Sequence, residues 1–220
     1  MEGDVPKFRK KYEEMSVKLG KLLAKTHLTP NMITVISIFV AMISLPYFYM
    51  RDLIMALAII IIAGILDIFD GALARAIKKT SKFGTLLDNT ADRIVEAILI
   101  LGLTLGNFIP GWLGVLTISS MLLPSYVRAR GEAELWVRGM GVGFFERKEK
   151  LSTLFAGIIL EYIFSNYLKD YQSILVSLIG FNNPFIFISC LIVSAFSLIT
   201  AVQRLYFYKG VEKEIVESRP

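Results

Sequence analysis

Among its 220 residues this chain has a single cysteine, Cys190, and a single histidine. One thiol set inside an apolar run leaves no disulfide framework. No internal repeat or low-complexity tract divides the sequence, and one domain's worth of chain leaves no room for a large soluble appendage. The first 30 residues lack the apolar core of a cleavable signal peptide. Polar surface is also scarce: 55% of the residues are hydrophobic and the mean hydropathy is +0.59. Soluble domains are less apolar than this and rarely repeat runs of about 20 apolar residues, so a polytopic membrane protein is expected. The net charge of +5 is distributed as expected for a membrane surface, and no nucleic acid partner is expected.

Apolar segments recur at about 32–50, 53–77, 85–106, 109–127, 151–168 and 184–207. Each is long enough to cross a hydrocarbon layer of about 30 Å as a helix. Several are modulated with period 3.6, which predicts an all-α bundle of six spans. Residues 5–25 interleave Lys7, Arg9, Lys10, Lys11, Lys18, Lys21 and Lys25 with Phe8, Tyr12, Met15, Leu19, Leu22 and Leu23, the pattern of an amphipathic helix lying in the headgroup plane. Thr29-Pro30-Asn31 reads as the turn or cap that opens the first span.

Cations are nearly absent from one side of this layout. Only Arg51 and Lys169 fall in the loops opposite the N-terminal segment, against the remaining 22 of 24 Lys and Arg on its own side. That asymmetry predicts a multi-pass cell-membrane protein with both termini cytoplasmic.

Four aspartates stand at the cytoplasmic ends of the second and third spans. Asp67 and Asp70 are three residues apart, Asp88 and Asp92 four apart, so each pair shares a helix face. A short connection at about 78–83 makes the two helices antiparallel, with carboxylate faces able to meet. Four converging carboxylates repel unless cations neutralise them. Oxygen donors of this kind suit Mg²⁺, Mn²⁺ or Ca²⁺ rather than thiophilic metals. Bridged divalent ions in turn clamp phosphate oxygens. Gly71 and Gly84 sit where small residues permit close approach, and Arg75 lies one turn after Gly71.

Written out, the pattern is Asp67-x2-Asp70-Gly71-x2-Ala74-Arg75-x8-Gly84-x3-Asp88-x3-Asp92. It resembles the signature of the CDP-alcohol phosphotransferases at every position and spacing, and the six spans and leading amphipathic helix extend the likeness over nearly the whole chain. The resemblance implies transfer of a phosphatidyl-type group from a CDP-lipid to an acceptor hydroxyl, with release of CMP. It implies that Asp67, Asp70, Asp88 and Asp92 hold two Mg²⁺ or Mn²⁺ ions and that Asp92 also takes the proton of the attacking hydroxyl. By the same likeness Gly71 and Arg75 contact the CDP group, as do Ser81 and the turn residues Pro30, Asn31 and Thr34. A homodimer in the lipid bilayer is the family's common assembly.

A second cationic constellation bears on the acceptor. Arg128 ends the fourth span in "SYVRARGEAE", Arg147 and Lys150 enter the fifth, and Arg204 lies near the end of the sixth. Three cationic clusters on three helices suit a second anion, since arginine forks match phosphate oxygens bidentately. The arrangement is similar to the inositol-phosphate-using members, the phosphatidylinositol-phosphate and archaetidylinositol-phosphate synthases. By that match Arg128, Arg147 and Arg204 bind the phosphate of inositol 1-phosphate; Lys150 stands where several relatives carry arginine. Glu132 and Glu146 either orient these arginines or contact inositol hydroxyls. A glycerol 3-phosphate acceptor, as in a phosphatidylglycerophosphate synthase, is the alternative. A divalent-cation transporter is a distant third, because spans one, four and six carry almost no acidic or polar residues on their distal halves. Few Cys and His beside abundant Ile, Lys and Glu lean toward a thermophilic, archaeal source, and so toward CDP-archaeol over CDP-diacylglycerol.

Overall fold

The computed structural model describes residues 28–77, 80–137, 139 and 141–217. The expected amphipathic helix at 5–25 lies outside them. Every regular element among the described residues is an α-helix. In chain order these are α1 (Pro30–Met42), α2 (Ser44–Tyr49), α3 (Leu53–Ala76), α4 (Lys82–Leu105), α5 (Gly111–Leu135), α6 (Arg147–Tyr167), α7 (Lys169–Ile179) and α8 (Pro184–Glu217). Two compact units make up the chain, residues 1–99 and 100–220, with the division inside α4.

In the first unit, Thr29 caps α1 by accepting the Met32 N–H at 3.3 Å, and Pro30 occupies a first-turn position where its missing N–H costs nothing. Asp52 caps α3 in the same way, accepting from Met55 N–H at 3.1 Å, after Arg51 reverses the chain with φ 62°. α1 packs along α3. The buried positions Ile33, Ser37 and Ala41 recur every four residues, as do Ala56 and Ile60, followed by Ala63. Small side chains there let the backbones approach, the usual way helices associate without an aqueous driving force. Phe39, Ile61, Ile62 and Ile65 point outward.

Among the described residues, three helical runs are long and apolar enough to cross a bilayer: Pro30–Tyr49, a run of 20 residues covering α1 and α2, Leu53–Ala76, and Pro184–Ile215. The chain is therefore a membrane protein. At 1.5 Å per residue α3 reaches about 36 Å. Where three further spans are expected, α4, α5 and α6 are 24, 25 and 21 residues long. Charged and polar residues interrupt them: Asp88, Asp92, Arg93 and Glu96 in α4, for example.

In the second unit α5 and α6 both pack on α8, and the short α7 touches α6 and α8. Gly157 allows α6 to close on α8, since a Cβ there would overlap Ser189 and stand 3.1 Å from the Phe185 carbonyl. One turn later the carboxylate of Glu161, 1% exposed, gathers three elements. It accepts the Phe185 N–H at 3.0 Å in the first turn of α8, the Gln172 amide of α7 at 2.9 Å and the Ser165 hydroxyl at 3.3 Å. A helix N-terminus is a favourable place for an anion. Helix α7 is a departure from the sequence reading, which left 169–183 as a connection. No residue of α7 is buried, and Tyr171, Ile174 and Leu178 are exposed while Gln172 reaches Glu161.

Glu161→Ala is expected to destabilise the second unit by about 2 kcal/mol, because it leaves half-buried donors on α7 and α8 without their acceptor. Unfolding of the purified protein by denaturing detergent would read this. Glu161→Gln should lose less, as its amide oxygen still accepts from Phe185.

Candidate active site

The acidic site belongs to the first unit and grows from the C-terminal turns of α3 and the first turns of α4. Ser81 begins α4 by accepting the Gly84 N–H at 2.9 Å, an N-cap bond that fixes where the helix, and so Asp88, begins. One carboxylate oxygen each from Asp67, Asp70 and Asp88 lies within 4.8 Å of the others. Asp70 is buried, and the Thr34 hydroxyl of α1, which also lies 3.1 Å from the Pro30 carbonyl, donates to its Oδ2. The contact expected between Thr34 and a nucleotide is thus accompanied by one to a carboxylate. Three acidic side chains at this spacing repel one another in the absence of cations. The donor set is entirely oxygen, three carboxylates drawn from two helices, and it fits a hard divalent ion such as Mg²⁺ or Mn²⁺.

Asp92 is one turn beyond Asp88 on α4, 8% exposed, and stands outside that cluster of three. Arg93 follows it. The Arg93 guanidinium lies 4.0 Å from the Asp92 carboxylate and donates to Glu96 at 2.8 Å. Glu96 is fully buried and went unremarked in the sequence. Its signal was present: Asp88, Asp92 and Glu96 are an acidic ladder with a spacing of four.

All six residues that the resemblance implies for the nucleotide, Pro30, Asn31, Thr34, Gly71, Arg75 and Ser81, line one cavity of about 190 Å³. Asp70, Asp88 and Gly84 line it too. Little space is left beside either glycine. A Cβ on Gly84 would stand 3.1 Å from the Ser81 hydroxyl and 3.3 Å from the Asn31 amide oxygen, and one on Gly71 3.3 Å from the Arg75 guanidinium.

The second unit holds the other cations. Pro124 lies inside α5, where its missing N–H interrupts the helical ladder and loosens the carbonyls of the preceding turn. Buried Lys150 of α6 donates to the Met121 carbonyl at 3.0 Å. Arg204 of α8, 5% exposed, donates from Nη1 to the Pro124 carbonyl at 2.6 Å and from Nε to the Val142 carbonyl at 2.9 Å. Arg128 is half-exposed with Glu132 3.9 Å away. Arg147 is the first residue of α6, whose entry is fixed by a capping box between Glu146 and Glu149. Of the two glutamates singled out in the sequence, Glu132 therefore pairs with Arg128 and also accepts the Gly139 N–H at 3.1 Å, while Glu146 caps a helix.

An oxygen-only acidic cluster that opens on a pocket with an arginine and two close-packed glycines, carried by apolar helices, defines a membrane protein that handles a phosphate-bearing ligand with divalent ions. The chain belongs to the CDP-alcohol phosphatidyltransferase family, whose model matches residues 27–185, and it is a transferase. Among curated relatives, an archaetidylinositol phosphate synthase of Pyrococcus horikoshii is 37% identical over 150 residues, covering 68% of this chain and 79% of the relative. A phosphatidylinositol phosphate synthase of Mycobacteroides abscessus is 30% identical over 159 residues, covering 69% and 71%. The crystal structure of Mycobacterium tuberculosis phosphatidylinositol phosphate synthase in complex with manganese and citrate superposes with a TM-score of 0.73 at 25% identity, over 88% of each chain. The same enzyme with CDP-DAG bound has a TM-score of 0.71 at 24% identity, over 89% of this chain and 94% of that one, a likeness of fold.

Proposed function

We propose that this enzyme transfers the phosphatidyl-type group of a CDP-lipid to a hydroxyl of inositol 1-phosphate and releases CMP. The observation that carries the reading is the convergence of Asp67, Asp70 and Asp88 on a cavity lined by Gly71, Arg75, Gly84 and Ser81. The names of the relatives support an inositol phosphate acceptor.

Asp67, Asp70, Asp88 and Asp92 hold two divalent ions, Mg²⁺ or Mn²⁺, which when bound neutralise pyrophosphate charge. Arg75 adds a fixed positive charge to the same cavity, and Gly71 and Gly84 admit the nucleotide against the backbone. Thr34 keeps one oxygen of Asp70 engaged and so fixes the direction of the other. Asp92 accepts the proton of the acceptor hydroxyl as its oxygen bonds to the lipid-bearing phosphorus. The bond from that phosphorus to the oxygen of CMP breaks, and CMP departs with the electron pair. The cationic set Arg128, Arg147, Arg204 and Lys150 serves the phosphate of the acceptor. Six spans, both termini in the cytoplasm, the interfacial segment 5–25 and a homodimer complete this reading. An archaeal relative by name favours CDP-archaeol as donor.

The test is CMP release by purified protein with Mg²⁺ or Mn²⁺ and either CDP-lipid, with inositol 1-phosphate, glycerol 3-phosphate, free inositol and serine offered in parallel. Release with inositol 1-phosphate alone is expected. Release with glycerol 3-phosphate instead retains the chemistry and makes the enzyme a phosphatidylglycerophosphate synthase. Release with free inositol as readily as with its phosphate removes the role given to the cationic set.

A further inference from the structure

Helix α7 divides its surface among three environments. At about 100° per residue its side chains fall into three sectors centred roughly 120° apart. Gln172, Leu175, Val176 and Ile179 make up the first, half-buried where α7 touches α6 and α8. From this sector Gln172 donates to the Glu161 carboxylate at 2.9 Å and to the Ser165 hydroxyl at 2.8 Å. Lys169, Asp170, Ser173 and Ser177 make up the second, which is exposed and wholly polar. Tyr171, Ile174 and Leu178 make up the third, wholly apolar yet 63%, 56% and 76% exposed. A helix that met only protein and water would need two sectors, one apolar and one polar. The third sector calls for a third solvent. Position along the chain says which one. Gly180, with φ 78°, ends α7, and Pro184 opens α8, which is long and apolar enough to cross a bilayer. From Arg147 to Tyr167 on α6, and from Pro184 to Arg204 on α8, each axis advances about 30 Å, the thickness of a hydrocarbon layer. α7 joins the ends of those two helices remote from Arg147 and Arg204, at the level where a bilayer surface falls.

We propose that α7 is an interfacial helix, lying in the headgroup layer with Tyr171, Ile174 and Leu178 seated against the acyl chains of the leaflet remote from Arg147 and Arg204. Its polar sector faces water and its third face is pinned to the second unit through Gln172 and Glu161. The occupant of the apolar face is a lipid surface rather than a second copy of the chain. Three side chains fall well short of the roughly 800 Å² that each partner gives to a stable protein interface. They suit the shallow burial, about 5–10 Å, of a helix at the acyl boundary. Lys169 and Asp170 cancel in charge, so apolar contact rather than attraction to anionic lipid does the seating. Because Glu161 holds α7 at a fixed place on α6, the helix sets the depth at which the second unit sits in the membrane. This inference is independent of the reaction proposed above.

The experiment places a nitroxide label on the full-length protein in phosphatidylcholine vesicles, at Leu178→Cys or Tyr171→Cys in the apolar sector and at Ser173→Cys in the polar one. All three positions are exposed, so each variant keeps the packing of the second unit, and the buried Cys190 makes the unsubstituted chain the labelling blank. Electron paramagnetic resonance then compares collisions with oxygen, which concentrates among acyl chains, and with a water-soluble nickel chelate. The oxygen-to-nickel ratio should be roughly ten-fold higher at 178 and 171 than at 173, as befits a helix with one face in lipid and one in water. Adding anionic phosphatidylglycerol to the vesicles should leave the ratio unchanged. Nickel access at all three positions would place α7 in water and overturn the proposal. Labels at 178 and 171 that neither reagent reaches, with spectra broadened by a nearby second label, would show a second copy on that face and overturn it equally. A high ratio that appears only with anionic lipid would refute apolar seating.

Discussion

Asp92→Asn is expected to lower CMP release by about 10³-fold, within the range of 10²–10⁴ that a positioned general base contributes. The amide has the size of the carboxylate but cannot take a proton from the attacking hydroxyl. Asp92 is buried on α4 one turn beyond the acidic cluster, with the Arg93 guanidinium 4.0 Å from its carboxylate. Because it is also assigned to the divalent ions, the comparison must be made at saturating Mg²⁺ or Mn²⁺, where a loss of metal affinity no longer limits the rate. Binding of the CDP-lipid, measured by calorimetry under the same conditions, should change by less than about five-fold, since the cavity residues are untouched. A variant that keeps more than a tenth of wild-type turnover at saturation would remove Asp92 as the base.

Asp70→Asn should produce the other large effect, this time on metal binding. Asp70 contributes to the only cluster of three acidic groups suited to a metal among the described residues. It is also the member that a hydroxyl from another helix holds in place. An amide in its position brings no charge to an oxygen-seeking ion. The loss should exceed the 10–100-fold typical of removing an outer-shell partner. Titration of Mn²⁺ followed by its electron paramagnetic resonance signal is a direct measure. Thr34→Val supplies the scale: it deletes the orienting hydroxyl while leaving every carboxylate, and should weaken Mn²⁺ by about ten-fold. Equal affinities in wild type and Asp70→Asn would exclude Asp70 from the metal site.

Much of the acidic site was legible because helical spacing turns sequence separation into geometry. Asp67 and Asp70 at i, i+3 and a short connection to Asp88 suffice to bring three carboxylates together, and the glycines and Arg75 follow at turn intervals. Long-range partnerships were not legible. Thr34 is separated from Asp70 by 36 residues, and nothing in its neighbours indicates that its hydroxyl would face that carboxylate. Arg204 and Lys150 read as cations available to an anion, because a sequence does not reveal which main-chain carbonyls of another helix lie within their reach. For the fold, α3 and α8 were plain from their uninterrupted apolar runs. α7 escaped notice because 11 residues of mixed polarity, none of them buried, give too short a pattern to distinguish from a loop. Glu96 and Glu161 were passed over as isolated acids, though each lies in a predicted span, where a buried carboxylate needs donors.

The contacts that α5 receives around Pro124 have a bearing on how the polypeptide is made. The α5 carbonyls at Met121 and Pro124 accept from side chains of residues 150 and 204, synthesised well after the helix itself. Until translation has passed them, α5 emerges without the two side-chain contacts that tie it to α6 and α8. The last helix thus works as a late lock: a nascent chain arrested before residue 204 should dwell with α5 unsettled, and a truncation there should present quality-control proteases with a recognisably unfinished second unit.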